Sequence, residues 1–158
     1  MYFKLLIKFL FLNSLLAAHK PLITKKLTNQ FNKNIDWNSC NLLIIGSRNT
    51  RENCKMWTDN IKKEINSVST CSIASIPSSF IKNKYSKIFI RKSVLFYDKE
   101  NDIFLDWHNK FINSNNIKHF PTIIIIKNID EKYFEIERLD GKYSKKKMHL
   151  LKSYFNNI

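Results

Sequence analysis

The sequence is poor in glycine, proline and cysteine. Its 158 residues include two glycines, three prolines and three cysteines. Loops that hold nucleotide phosphates need several glycines at fixed spacing, so the chain carries no phosphate-binding loop of that type. None of the four histidines stands at a metal-ligand spacing from a cysteine or another histidine. We therefore predict no metal site and no cofactor.

Acidic residues are also scarce. Only 13 Asp and Glu oppose 27 Lys and Arg, which gives a formal net charge of +14. This balance suits nucleic acid, a membrane surface or an acidic partner. The basic residues are spread along the chain, however, and no nucleic-acid-binding motif accompanies them. We predict no specific nucleic-acid binding. The abundance of Lys, Asn and Ile is also typical of proteins translated from very AT-rich genomes.

Hydrophobic residues make up 44% of the chain, enough for one folded domain and a targeting segment. Residues 1–18 combine Lys4 with an apolar stretch from Leu5 to Leu16 and end in Ala17-Ala18. This pattern predicts a signal peptide, with an uncleaved membrane anchor as the alternative. We therefore predict an exported protein, either periplasmic or tethered to the membrane and facing the periplasm.

Residues 19–40 are polar and rich in lysine, and we interpret them as an N-terminal extension that packs on a domain spanning 41–158. The spacing of Ile23, Leu27 and Phe31 favours a short helix within it. A buried strand is predicted at Asn41 to Gly46.

After this strand, an apolar stripe at helical spacing predicts a helix. Further on, 71–93 is interpreted as an insertion with a short helix, 93–97 as the second core strand, and 103–112 as a helix. The stripe of the first helix consists of Cys54, Trp57, Ile61, Ile65 and Val68.

A β-branched run starts directly at Pro121, where a proline is tolerated because the first residue of a strand needs no ladder donor. A second strand and a last helix follow, at 133–139 and 144–155. The predicted order is β-α-β-α-β-β-α, an α/β fold with a central sheet flanked by helices.

Three motifs stand in a fixed order: Cys54-Lys55-Met56-Trp57 at the start of a helix, Pro121-Thr122 before a strand, and Arg138 to Gly141 before the last helix. Together they resemble the thioredoxin superfamily. The match is nearest to exported thioredoxin-like proteins of bacterial sulfur-oxidation gene clusters, which also carry a segment similar to Tyr85-Ser86-Lys87. The resemblance implies a thioredoxin-like fold over 41–155 with a cis-proline at Pro121.

The same resemblance indicates a degenerate Cys-x-x-Cys motif. The nucleophilic cysteine of the family falls on Arg51, Cys54 matches the resolving cysteine, and the buried acid of the first strand falls on Ile45. A dithiol oxidoreductase needs a thiolate at the helix N-terminus. We therefore do not expect an active dithiol oxidoreductase.

The groove beside the cis-proline does not depend on a thiol. In the family, the residue before this proline pairs its backbone with an extended peptide, which here is Phe120. We predict that a protein or peptide partner binds at Phe120, Pro121, Thr122, Arg51 and Trp57. Two alternatives stay open: a monothiol redox protein that acts through Cys54, and a purely structural Pro121 with Phe120 in the core.

Cys40 precedes the first predicted strand, and Cys71 follows the first predicted helix. In a β-α unit these two points fall at the same end of the sheet, opposite the site. We therefore expect a disulfide that closes a loop of roughly 30 residues and stabilises the fold by ~3–4 kcal/mol. Two unpaired thiols are the alternative, because sequence alone does not fix the pairing.

Overall fold

The computed structural model describes residues 19–65 and 67–156, and within them it has seven strands and four α-helices. The predicted signal segment 1–18 lies outside the described residues. The strands are β1 (Lys20–Pro21), β2 (Thr28–Asn29), β3 (Leu42–Gly46), β4 (Thr70–Ile76), β5 (Ile103–Trp107), β6 (Thr122–Ile129) and β7 (Lys132–Asp140). The helices are α1 (Arg51–Glu64), α2 (Lys84–Tyr97), α3 (Lys110–Ser114) and α4 (Lys145–Asn156).

The strands form one mixed sheet in the order β1-β7-β6-β3-β4-β5-β2. The three central strands β3, β4 and β5 run parallel to one another, and β6 runs antiparallel to β3. β6 and β7 form the hairpin that the sequence predicts, and α4 follows it. The predicted α/β class with a closing hairpin and helix is confirmed.

The core lies on both faces of this sheet, since alternate apolar residues of β3 and β6 belong to two different buried clusters. One face packs under α1 and α4. The other is covered by 19–40 and α3. The first face contains Leu42, Ile44, Trp57, Ile61, Ile123, Ile125, Met148 and Leu151, and the second contains Leu22, Leu27, Ile35, Leu43, Ile45, Phe111, Ile112, Ile124 and Ile126.

Three predictions for the middle of the chain are wrong. Residues 71–93 are not an insertion, because they contain most of the central strand β4 and most of α2. Residues 93–97 are not a strand but the last turns of α2, and the second core strand is β4. Residues 103–107 are not helical but form β5, which leaves α3 as a short helix. The last two errors have different causes. Val94 to Tyr97 is a run with high strand propensity, and the apolar residues from Ile103 to Ile112 match a helical period by chance.

The N-terminal extension contains no α-helix where Ile23, Leu27 and Phe31 predicted one. It forms β1 and β2 instead, at the two edges of the sheet. Leu27 is buried, whereas Ile23 and Phe31 are exposed. Of the helices in 19–65 and 67–156, none combines the length and apolar composition that a membrane span requires.

Candidate functional site

The site forms where β3 ends and α1 begins. Gly46 is the last residue of β3, and a 3-10 turn over Arg48–Thr50 leads into α1. The turn is closed by the backbone N–H of Ser47, which donates to the Thr50 hydroxyl at 2.9 Å. Arg51 is therefore the first residue of α1, where the backbone N–H groups have no helical partners and favour an anion.

Arg51 is exposed and stacks on an aromatic ring. Its guanidinium lies 3.7 Å from the ring centroid of Tyr97, at the end of α2. Its Nε also lies 3.4 Å from Oε1 of Glu52, in an exposed ion pair of little energy. A stacked guanidinium keeps its N–H donors available at the ring edge. The guanidinium can therefore pair with an anionic group while it stays stacked on the ring.

Cys54 lies one turn into α1, half-buried against the end of β3. A Cβ placed on Gly46 would overlap Sγ of Cys54, so the strand and the helix are in direct contact here. Burial raises the pKa of the Cys54 thiol to about 11, although a hydrogen bond with Thr50 opposes the shift. At neutral pH the side chain is therefore a protonated thiol, which is not a nucleophile.

The Phe120–Pro121 peptide bond is cis. The sheet register pairs Ile45 with Thr122, which sets Pro121 across from Gly46 and beside the turn into α1. The carbonyl of Pro121 accepts a 2.7 Å hydrogen bond from the N–H of Gly141. The structure therefore brings the proline segment and the start of α1 to the same end of the sheet.

Phe120 is half-buried and packs its ring against the core. Within 19–65 and 67–156, its backbone N–H and carbonyl have no hydrogen-bond partner. Pro121 and Thr122 are buried, and the Thr122 hydroxyl lies 2.6 Å from both the His119 carbonyl oxygen and Oδ1 of Asp140. Pro121 and Thr122 therefore hold Phe120 in position. They expose no surface to a partner, contrary to the prediction that they contact one.

The prediction that Trp57 contacts a partner is wrong. It has no exposed surface, and its Nε1–H donates to the Gly141 carbonyl at 3.4 Å. Its ring packs edge-on against Tyr143, with 5.3 Å between the centroids. A fully buried side chain does not contact a ligand in this conformation. Trp57 therefore links α1 to the segment after β7 and is not a binding residue.

Cys40 and Cys71 form a disulfide, with their Cα atoms 5.7 Å apart. Cys71 pairs with Leu43 in the register of β3 and β4, near the start of both strands. The bridge thus lies at the opposite end of the parallel strands from Gly46. Because the sequence has three cysteines, Cys54 is left as the single free thiol.

Sequence reasoning missed two residues near this end of the sheet. Tyr97 contacts Arg51, but its helical position was hidden by the strand-like run around it. Asp106 is fully buried and accepts hydrogen bonds from the N–H groups of Phe111 and Ile112 at 3.0 and 2.9 Å. Burial raises its pKa, and these bonds oppose the shift. Asp106 therefore caps the short helix α3.

Solved structures of known proteins share this architecture. The pneumococcal exposed lipoprotein thioredoxin from Streptococcus pneumoniae aligns with 82% of this chain and 98% of its own, at 17% identity and a TM-score of 0.60. A putative thiol:disulfide interchange protein DsbE from Chlorobium tepidum aligns over 87% and 95%, at 11% identity and a TM-score of 0.59. This chain has a thioredoxin-like fold.

The N-terminal domain of PilB from Neisseria gonorrhoeae gives the same result, over 77% of this chain and 83% of its own, at 14% identity and a TM-score of 0.55. Neither a protein-family model nor a curated protein matches the sequence. The likeness thus confirms the fold predicted from the motifs around Cys54 and Pro121. Among the described residues, no group of His, Cys, Asp or Glu is placed to hold a metal ion.

Proposed function

We propose that this chain is a thioredoxin-like protein that has lost its nucleophilic cysteine and binds a protein partner through an extended peptide segment. The observation that carries the proposal is the pair of groups at the site. A stacked guanidinium stands on the first residue of α1, and the only free thiol behind it is half-buried. This arrangement suits binding, and it does not suit thiol exchange.

Dithiol exchange needs one thiolate to attack a disulfide and a second thiol to resolve the mixed disulfide. The sequence has three cysteines, and the bridge between Cys40 and Cys71 occupies two of them. The remaining thiol, Cys54, has a pKa of about 11. The site therefore holds one protonated thiol, Cys54, and the attacking thiolate that dithiol exchange requires is missing.

The binding surface consists of Phe120 and Arg51. The backbone of Phe120 has a donor and an acceptor without partners in the described part of the chain, which suits pairing with an extended strand. The Arg51 guanidinium and the N-terminus of α1 suit a carboxylate. We therefore expect the partner segment to be extended and to carry an acidic residue near the end of α1.

The second candidate is a monothiol redox protein in which Cys54 forms a mixed disulfide. The partial exposure of Cys54 favours it. Its raised pKa opposes it, because attack requires the thiolate. We place this candidate behind peptide binding.

Export of the protein is part of the proposal. The disulfide between Cys40 and Cys71 suits an oxidising compartment. Residues 1–18 match a signal peptide or a membrane tether. One of the structurally similar proteins is described as an exposed lipoprotein. The partner is then expected in the periplasm or at its membrane.

A peptide selection tests the binding site. Peptides are selected from a random phage library on the full chain, and their affinities are measured for the wild type, for Arg51→Glu and for Lys63→Glu. Lys63 is exposed in the last turn of α1, so its variant carries the same change in net charge away from the site. We expect Arg51→Glu to weaken binding about tenfold or more, and the control to leave it unchanged.

The same peptides should shift the NMR amide signal of Phe120. Peptides that bind Arg51→Glu as tightly as the wild type and leave the Phe120 amide signal unchanged would place the binding surface elsewhere. That result would refute the proposed groove.

A further inference from the structure

Helix α2 has no buried side chain. Four large apolar residues on it are among the most exposed in the described structure: Tyr85 at 64%, Ile88 at 54%, Phe89 at 72% and Phe96 at 75% of their surface. At 100° per residue they fall on one outward stripe of the helix. A soluble protein normally covers such a stripe, so this one indicates a contact surface.

The charges of the helix are all positive. It carries Lys84, Lys87, Arg91 and Lys92, and the sequence has no Asp or Glu between Glu64 and Asp98. Two of these four cations attach the helix to the sheet. Lys87 and Arg91 lie 5.5 and 5.4 Å from the ring centroid of Trp107 and hold the helix to β5.

Arg91 also donates to the Thr28 hydroxyl at 2.8 Å and so ties α2 to β2. Lys84 and Lys92 are exposed instead. On the helical wheel Lys92 falls within the apolar stripe and Lys84 at its edge. Long lysine stems lie along an apolar surface while their ammonium groups reach outward. The outward face is thus both apolar and cationic.

We propose that α2 docks on the surface of an anionic lipid bilayer, with the Tyr85–Phe96 stripe inserted between the headgroups. Helices that lie in the bilayer interface combine an apolar aromatic face with lysine and arginine, which is the composition of α2. Aromatic rings are favoured at the headgroup level, and each lysine gains from the negative surface potential. A second copy of this chain is less suited to cover this stripe. Contact between two identical stripes would bring the lysines of both copies, Lys84 and Lys92, close together, and their positive charges would repel.

Docking by α2 has a consequence for the site. Tyr97 ends α2 and stacks on Arg51, so the start of α1 is attached to the docked helix. The Arg51 groove would then lie close to the membrane plane. The docking proposal does not depend on what the groove binds, since no residue of the stripe lines the groove.

Hydrogen exchange tests the proposal at the level of single segments. The full chain is exchanged alone, with vesicles of equal parts phosphatidylglycerol and phosphatidylcholine, with vesicles of phosphatidylcholine, and with soluble polyglutamate. We expect the amides of 84–97 to exchange more slowly with the anionic vesicles only. Because the readout is local, an anchor formed by residues 1–18 does not obscure it.

Paired variants test the two components of the stripe. Phe89→Ser with Phe96→Ser should weaken the affinity for the anionic vesicles about tenfold or more. Lys84→Gln with Lys92→Gln should weaken it about fivefold per lysine. The matched controls remove two exposed apolar residues elsewhere (Phe31→Ser with Leu150→Ser) or two exposed lysines of α4 (Lys145→Gln with Lys146→Gln), and they should retain the wild-type slowing of 84–97.

Four outcomes would overturn the proposal. These are slowing confined to 1–18, equal slowing with neutral vesicles, equal slowing with polyglutamate, and slowing that depends on protein concentration without lipid. Equal slowing with polyglutamate would assign the helix to an acidic protein, and the concentration dependence would assign it to a second copy.

Discussion

Cys54 keeps its proton at neutral pH because burial raises the pKa of its thiol from 9.0 to about 11. Since a raised pKa favours the protonated form, the thiolate appears only as the pH approaches 11. At pH 7 the folded chain then holds about a hundredfold less thiolate than an ordinary cysteine. The monothiol redox candidate is therefore opposed by the pKa of Cys54, although the partial exposure of this residue favours it.

Alkylation by iodoacetamide measures the reactivity of Cys54, which depends on its thiolate fraction. We predict that Cys54 reacts about a hundredfold more slowly in the folded chain than in guanidinium at pH 7, with a rate that still rises above pH 10. Intact mass gives the fraction modified, and the disulfide keeps the other two cysteines out of the reaction. Equal rates in the folded and unfolded chain would revive the monothiol candidate.

The sequence predicted where the residues of the site lie in the fold, but it did not predict which of their side chains are exposed. Arg51 and Cys54 stand in the first turn of α1, where the motif put them. Trp57 belongs to the predicted helical stripe, but the motif did not show that its ring is fully covered. Tyr97 could not be predicted as part of the site, because its contact with Arg51 depends on the position of α2 and not on any spacing near residue 51.

Between elements, the tightest constraint at the site is the contact of β3 with α1. Gly46 ends the strand, and a Cβ there would overlap Sγ of Cys54. We predict that Gly46→Ala lowers the free energy of unfolding by about 1–3 kcal/mol, as expected for overpacking. Urea unfolding of the single and double variants measures this value.

The partner variant Cys54→Ala removes the overlapping atom. The double variant should therefore be more stable than the sum of the two single changes predicts, by about 1 kcal/mol or more. Additive effects would mean that α1 does not press on the end of β3. The test uses stability alone, so it is independent of any partner.

The strands and helices were predictable where the apolar pattern of the sequence agrees with the burial of the residues in the structure. The apolar runs of β3 and β6 are buried on both faces, and their composition alone indicates central strands. In α2 they disagree, because the Val94–Tyr97 run looks like a strand while Phe96 and Tyr97 are exposed on a helix. β4 was missed because only Cys71 and Ile73 alternate with small residues, a weak apolar signal.

Over the whole molecule, the N-terminal extension completes the core. Leu22, Leu27 and Ile35 are buried in the cluster that covers β3 and β6 from the side opposite α1. Trp37 stacks on Phe111 of α3, with 5.4 Å between the ring centroids. The sequence predicted an extension packed on the domain but gave no measure of its contribution, because its apolar residues follow no clear period.

Deletion of residues 1–39 measures that contribution, and it retains Cys40 and so the disulfide. We predict a loss of about 5 kcal/mol or more of unfolding free energy, since four of the side chains removed, Leu22, Leu27, Ile35 and Trp37, pack in the core and contribute about 1.5–3 kcal/mol each by burial. Deletion of 1–18 alone should leave the urea midpoint unchanged, because none of these four side chains is removed.

Point variants keep the test informative if the shortened chain does not fold. Leu27 is 3% exposed and Ile23 is 48% exposed in the same extension. Leu27→Ala should therefore cost about 2–4 kcal/mol, and Ile23→Ala less than about 0.5 kcal/mol. An equal urea midpoint for the two variants would mean that 19–40 is a detachable tail, and the domain would then begin at β3. A large difference would mean that 19–40 packs on the domain and contributes to its stability, as the burial of Leu27 predicts.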